Sequence, residues 1–197
     1  MTLICMAHKA EAQSFLNSDM GFEEIEKHFF FSKKTSTYLL ITGEGILEVL
    51  VKLSFIMGRF DIRSIINLGI AGSLSLDIPL KTIHEVSTTL SFGQVERRKE
   101  TYNTDSKNPT GQVVCMTTDQ CVLDDSFAKM LSPFASIVDR EAWAIARVSK
   151  IYKKPFYCFK YISDMAGTQS KCVDFKKLAK EYSDALYKFY RENSCLK

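Results

Sequence analysis

Residues 161–167 read YISDMAG, and the run just before them, PFYCFK, is nearly all apolar or aromatic. This predicts a buried strand with a carboxylate, Asp164, at its mouth and small residues, Ala166 and Gly167, beside it. A buried aspartate is costly unless it is paired or protonated. Asp164 therefore reads either as an acid that holds a proton or as a turn or helix N-cap residue. Further carboxylates stand at comparable positions. Glu11 follows the apolar run TLICMA, and Glu44 lies between Gly43 and Gly45 after STYLLIT. Asp119, followed by Gln120 and Cys121, ends GQVVCMTT, and Asp139, Arg140 and Glu141 open the segment DREAWAIARVSKI. The turn Gly69, Ile70, Ala71, Gly72 ends SIINL. Carboxylates and glycine turns without a Ser-His-Asp set suit acid–base chemistry on a neutral or polar small molecule. Glu11 could equally be a glutamate that starts a helix, and Glu141 one favoured by the dipole of a first helical turn.

These residues gain meaning only if one end of a sheet collects them. Strands are expected at 2–7, 36–43, 64–72, 84–92, 111–118 and 155–163. Helices are expected from AEAQSFL, from ILEVLVKLSFIM, over 139–151 and over VDFKKLAKEYSDALYKFY, with Asp174 or the preceding turn at the start of the last. Ala142, Ile145 and Ala146 share one helical face. Phe175, Leu178, Tyr182, Leu186 and Phe189 share another. The polar stretch 94–110 reads as a long loop or an irregular hairpin. The alternation predicts one α/β domain over 1–197, a three-layer fold with a central mixed β-sheet flanked by helices. In open α/β sheets ligands bind beyond the carboxyl ends of the strands, where the candidate residues fall.

Composition narrows the class. The 197 residues are 46% hydrophobic and 25% charged, with a net charge of +3, which is ordinary for a globular chain. No Lys/Arg stripe argues for nucleic acid or a membrane surface. The nearest basic run, Arg97, Arg98 and Lys99, meets Glu100 at once and reads as a solvated loop. Cys5, Cys115, Cys121, Cys158, Cys172 and Cys195 form no C-x-x-C pair, so neither a zinc site nor a disulfide framework is expected. Cys5 and Cys158 read as core residues. The apolar run of MTLICMAHKAEA is too short for a secretory signal, no segment reaches the ~18–20 apolar residues of a membrane helix, and the cytoplasm is the expected compartment. His28 and His84 read as surface or strand residues, and Trp143 as core or a subunit contact.

INLGIAGSL, VDREAWAIARV and KPFYCFKYISDMAG, in this order, resemble the nucleoside phosphorylase/nucleosidase superfamily. Within it the chain looks closest to 5′-methylthioadenosine/S-adenosylhomocysteine nucleosidases and futalosine hydrolases. The resemblance spans essentially the whole chain and implies a purine nucleoside as substrate, no metal, no organic cofactor and a homodimer or higher homo-oligomer. It gives Asp164 the protonation of the purine's imidazole-side nitrogen and Glu11 the activation of water, with His8 and Lys9 placed to tune that site. Glu141, helped by Asp139, would grip the ribose hydroxyls. Ile70, Ala71, Gly72, Asp119, Cys121 and Ser163 would line the substrate site. Arg140, where relatives commonly carry Met, would grip a carboxylate or phosphate of the substrate or else pair with Asp139. MAHKAEA has neither the glycine nor the arginine that would hold phosphate, and Glu11 would repel it; Ile70 stands where many relatives carry a small hydroxyl residue. Hydrolysis is therefore expected. A phosphate-dependent phosphorylase and a non-catalytic purine-binding relative are the competing readings, the latter kept open by Arg140, Cys121 and Gly167.

Overall fold

Four consecutive side chains of the first strand, Thr2–Met6 (β1), divide the molecule in two. Leu3 and Cys5 enter one apolar cluster, Ile4 and Met6 another, and all four are fully buried. Successive strand residues face opposite sides, so a strand apolar at every position must carry a packed layer on each face. The computed structural model describes residues 1–92, 100–106, 113–168 and 175–193, with side chains from 178 in the last stretch.

After β1 come helix α1 (Gln13–Leu16), the hairpin β2 (Phe22–Glu26) and β3 (Phe29–Ser32), then β4 (Thr37–Ile41) and α2 (Ile46–Met57). The long strands β5 (Ser64–Ser73) and β6 (Ile83–Phe92) follow, with β7 (Thr101–Asn103) and β8 (Val113–Thr118). Helix α3 (Asp125–Leu131), strand β9 (Ile137–Asp139), α4 (Ala142–Ile151), β10 (Phe156–Met165) and α5 (Phe175–Glu192) complete the order. Helices α2 and α4 pack on the Leu3/Cys5 face through Val49, Leu53, Ala142, Ile145 and Val148. On the other face α1 and α5 bring Phe15, Tyr182, Leu186 and Tyr190. The three-layer expectation holds.

The sheet is mixed and closes on part of itself. Strands β2, β3, β4, β1 and β5 lie in that spatial order. Beyond them β5 pairs with β10 in parallel from Ile65 to Ser73, and β10 pairs antiparallel with β6. The path returns through β8 and β9 to Gly72 and Ser73 of β5. Closure pairs the backbone groups that an open edge would leave unsatisfied. It also brings the ends of β5, β8, β9 and β10 around one opening.

Several expectations change. Gly69–Gly72 is not a turn but lies within β5. Its glycines serve close approach: a Cβ on Gly69 would stand 3.3 Å from Lys160 Nζ, and one on Gly72 would stand 3.4 Å from Ala166 Cβ. The helix expected from AEAQSFL is a single turn, α1. Residues 137–139 form a strand, so α4 begins at Ala142, later than the expected 139. The β2–β3 hairpin and α3 have no counterpart in the sequence reading. Asp124 caps α3, accepting from the Phe127 amide at 2.8 Å. Trp143 is core, 5.9 Å from the Tyr102 ring. His84 lies in β6. Of the 94–110 segment, 101–103 is a strand on β6, whereas 93–99 and 107–112 lie outside the described residues. So do Arg97, Arg98, Lys99, Cys172, Asp174 and Cys195.

Candidate functional site

Period-two alternation along β10 puts Phe159 and Tyr161 on the α1/α5 face and Lys160 with Cys158 and Ile162 on the other. An ammonium is thus carried into the interior, where Lys160 is 1% exposed. Its Nζ lies 2.7 Å from Asp139 Oδ2. Burial pulls the proton affinity of Lys160 down, but the Asp139 carboxylate outweighs it and holds the group above its ordinary value. Both oxygens of Asp139 are engaged: Oδ1 accepts from the Thr117 hydroxyl at 2.6 Å and Oδ2 from the Ala142 amide at 2.9 Å. The expectation that Asp139 helps grip a ribose therefore fails. Its oxygens neutralise Lys160 and start α4.

Glu11 and Glu141 flank this ion pair. Glu11 is 1% exposed, and its Oε2 accepts from the His8 amide at 3.1 Å. Burial raises its proton affinity; the charges of His8 and Lys160 and the amides of His8 and Ile70 oppose the rise. Glu141 precedes α4, and its Oε1 accepts from the Gly45 amide at 2.9 Å. Gly45 has φ of +87°, a conformation a glycine adopts without strain, and so presents its N–H there. Glu141 is pushed up to about 8, first by burial and then by the Asp139 charge, against the pull of Lys160. The bare Cα of Gly69 leaves the space that Lys160 Nζ and Glu11 Oε1 share.

Asp164 stands further along β10, after an irregularity between Ile162 and Asp164 that shifts its pairing on β5. Such bulges re-aim side chains. Asp164 is half-buried rather than buried, so the expected interior aspartate is found instead on a cavity wall. The Ser163 hydroxyl donates to Asp164 Oδ1 and lies 3.3 Å from the Ala71 carbonyl. Gly167, with φ of +85°, lets the chain leave past α3: a Cβ there would meet Ala128 Cβ at 2.9 Å.

One cavity of about 620 Å³ joins these groups, a size suited to a small organic ligand. Glu11, Lys160, Asp139 and Glu141 line one end. Ile70 lies beside Glu11, and Ser163, Asp164, Gly72 and Ala166 lie further along β5 and β10; Ala71, Val122 and Leu123 complete this part of the lining. Asp164 is four steps along β10 from Lys160, about 13 Å of strand. At the rim stand His8, Glu44, Arg140 and the exposed Cys121. Arg140 pairs with Glu44 rather than Asp139, through an Nη1–Oε2 contact, and Nη2 donates to the Asp119 carbonyl at 3.3 Å. The Asp119 side chain is exposed and does not line the cavity, which removes it from the expected set. The sequence reading missed Lys160 and gave Glu44 no role. The available signal for Lys160 was a lone charge inside an otherwise apolar strand. Among the described residues no group of three or more His, Cys, Asp or Glu could hold a metal ion, and no helix is long and apolar enough to cross a membrane.

No family model matches the chain, and no curated protein matches it. Solved structures do. A candidate 5′-methylthioadenosine/S-adenosylhomocysteine nucleosidase from Borrelia burgdorferi B31, bound to adenine, is 24% identical with a TM-score of 0.83 over 98% of both chains. A Helicobacter pylori nucleosidase mutant with 5′-methylthioadenosine in its active site is 17% identical with a TM-score of 0.84, over 97% of this chain and 96% of that one. A futalosine hydrolase mutant from the same organism is 17% identical with a TM-score of 0.83, over 96% of each chain. The chain has the fold of these proteins, the fold its motifs resemble.

Two measurements probe the buried charges. Lys160→Met leaves Asp139 buried without a counter-charge and should lose about 3–5 kcal/mol in urea denaturation. Adding Asp139→Asn should return part of that loss, which a packing defect alone would not allow. Glu141 gains proton affinity on folding, so its contribution to stability is complete below its ordinary 4.5 and drains away as pH rises towards about 8. Urea midpoints for Glu141→Gln should therefore fall less than those of the unmodified protein across that window.

Proposed function

We propose that the protein is an N-ribosyl hydrolase that cleaves the glycosidic bond of a purine nucleoside of the methylthioadenosine, S-adenosylhomocysteine or futalosine kind. The observation that carries this reading is the single cavity with two buried, proton-avid carboxyls at one end and a half-buried carboxyl, Asp164, at the other. Asp164 donates a proton to the imidazole-side nitrogen of the base while the C1′–N bond breaks, so the purine leaves neutral. The sugar carries the positive charge of an oxocarbenium ion, facing Glu11. Water adds to C1′ as Glu11 takes its proton; burial raises the proton affinity of Glu11, and nearby Lys160 and the His8 amide oppose that rise. Glu141, pushed up to about 8, holds a proton at neutral pH. In that form it can meet the ribose diol as a donor as well as an acceptor.

Phosphorolysis needs a cation that can hold phosphate beside Glu11, where the attack on C1′ takes place. Lys160 stands there but is neutralised by the buried Asp139, and Arg140 stands at the rim with Glu44. Water is the acceptor this arrangement favours. The fold is shared with the nucleosidases named above, and that likeness supports the reading without fixing the base or the 5′ substituent. The free thiols of Cys5, Cys115, Cys121 and Cys158 favour a reducing compartment, and we place the reaction in the cytoplasm.

We also infer self-association. Leu47, Val51 and Phe55 form an exposed stripe at four-residue spacing on α2, which starts beside the cavity rim at Gly45. A second copy over that face would bury the stripe and border the opening.

The panel that tests the reaction holds methylthioadenosine, S-adenosylhomocysteine, inosine, adenosine and futalosine, each with and without phosphate. Free base should appear without phosphate, and Asp164→Asn should slow its release about 10²–10⁴-fold. Release only with phosphate would make the protein a phosphorylase, and ligand-induced stabilisation without any release would make it a purine binder. In analytical ultracentrifugation, Val51→Glu should shift the protein from dimer to monomer; an unmodified chain that sediments as a monomer at micromolar concentration would sink the interface.

A further inference from the structure

The rim cluster is left unused by the chemistry just described, and its composition is unusual for the mouth of an apolar-walled cavity. Glu44 reaches two partners at once: Oε1 lies 3.1 Å from His8 Nε2, and Oε2 contacts Arg140 Nη1. A carboxylate group thus already sits where the imidazole and the guanidinium converge. Arg140 Nε is buried and has no hydrogen-bond partner among the described residues. Glu44 itself is exposed, with 48% of its side chain open to solvent against 29% for Arg140.

The position of the cluster says which part of a ligand it meets. His8 and Arg140 adjoin Glu11 and Glu141, at the end of the cavity away from Asp164. On the nucleoside reading, on which this inference rests, the base lies towards Asp164 and the diol on Glu141. The 5′ arm of the sugar is what remains to reach the rim. An apolar 5′ group would strip water from Arg140 and Glu44 and return no hydrogen bond. An anion can replace the Glu44 carboxylate instead. The half-exposed Glu44–Arg140 pair holds Glu44 weakly, as solvent-screened ion pairs do, and the displaced side chain returns to water. The newcomer gains the Nη1 that Glu44 leaves, beside Nη2, on a planar guanidinium suited to phosphate or carboxylate.

We propose that His8, Glu44 and Arg140 form a specificity site for an anionic group, phosphate or carboxylate, on the 5′ carbon of a purine nucleoside, with Glu44 as the internal carboxylate that the substrate displaces. Adenosine 5′-monophosphate, adenosine 5′-carboxylate and 5′-methylthioadenosine separate the alternatives. Binding is read by calorimetry in the Asp164→Asn protein, where ligand persists, and base release in the unmodified protein. At least one anion should bind about tenfold or more tighter than the methylthio compound, and the two anions tell phosphate from carboxylate. Arg140→Met should reverse that ratio, whereas Glu44→Gln should widen it. A preference of the unmodified protein for the methylthio compound, or a ratio that neither variant moves, would overturn the proposal. The two readouts keep it separable from the hydrolase reading. Anion-selective binding without base release sustains the rim site and removes the reaction; base release with an apolar preference does the reverse.

Discussion

A lysine ammonium inside a β-sheet constrains everything around it. Lys160 can stay there only because Asp139 meets it at 2.7 Å, and Asp139 can do so only because β9 ends beside β8 and α4 begins at once behind it. The closed path of β5, β10, β6, β8 and β9 supplies that geometry. One ion pair therefore ties the strand that delivers Asp164 to the strand–helix junction that delivers Glu141. An apolar pair of similar volume would hold the fold about as well, since desolvating two charges costs about what their attraction returns. What an apolar pair would not give is a fixed positive charge between two buried glutamates.

That charge sets the character of the cavity. Burial drives Glu11 and Glu141 towards their protonated forms, and Lys160 draws both back. The balance leaves both above the ordinary carboxylate value, Glu141 at about 8. Asp164 lies outside this network, half-buried on the cavity wall.

The glycines of β5 make the close packing possible. Gly69 gives up a side chain so that Lys160 and Glu11 can share a space, and Gly72 does the same for Ala166 behind Asp164. Both lie in regular strand, so the need is for room rather than for backbone freedom. At the rim the requirement is reversed. Gly45 does need its positive φ, because its amide must turn towards Glu141.

Much of this was legible in the linear sequence, for a physical reason. The long strands and α2 have apolar periodicities that local geometry alone enforces, so their limits were readable to within a residue or two. Glu11, Glu141 and Asp164 followed from their places at strand and helix ends, Ser163 from the family resemblance, and all four line the cavity. The sequence contained no comparable signal for β9 or for the β2–β3 hairpin, whose short strands are stabilised by neighbours distant in the chain. Lys160 was hidden because an apolar run says that a segment is buried but not which way each side chain faces, nor whether a carboxylate waits there. Asp139 and Arg140, adjacent in sequence, looked like partners of one another. The tertiary structure decided otherwise, since a strand end turns neighbouring side chains to opposite sides, sending one inward to Lys160 and the other out to Glu44. Residue types and their order determined which chemistry the chain could support. Only long-range pairing, which closes the sheet and brings charges some twenty residues or more apart within bonding distance, decided which groups are free to perform it.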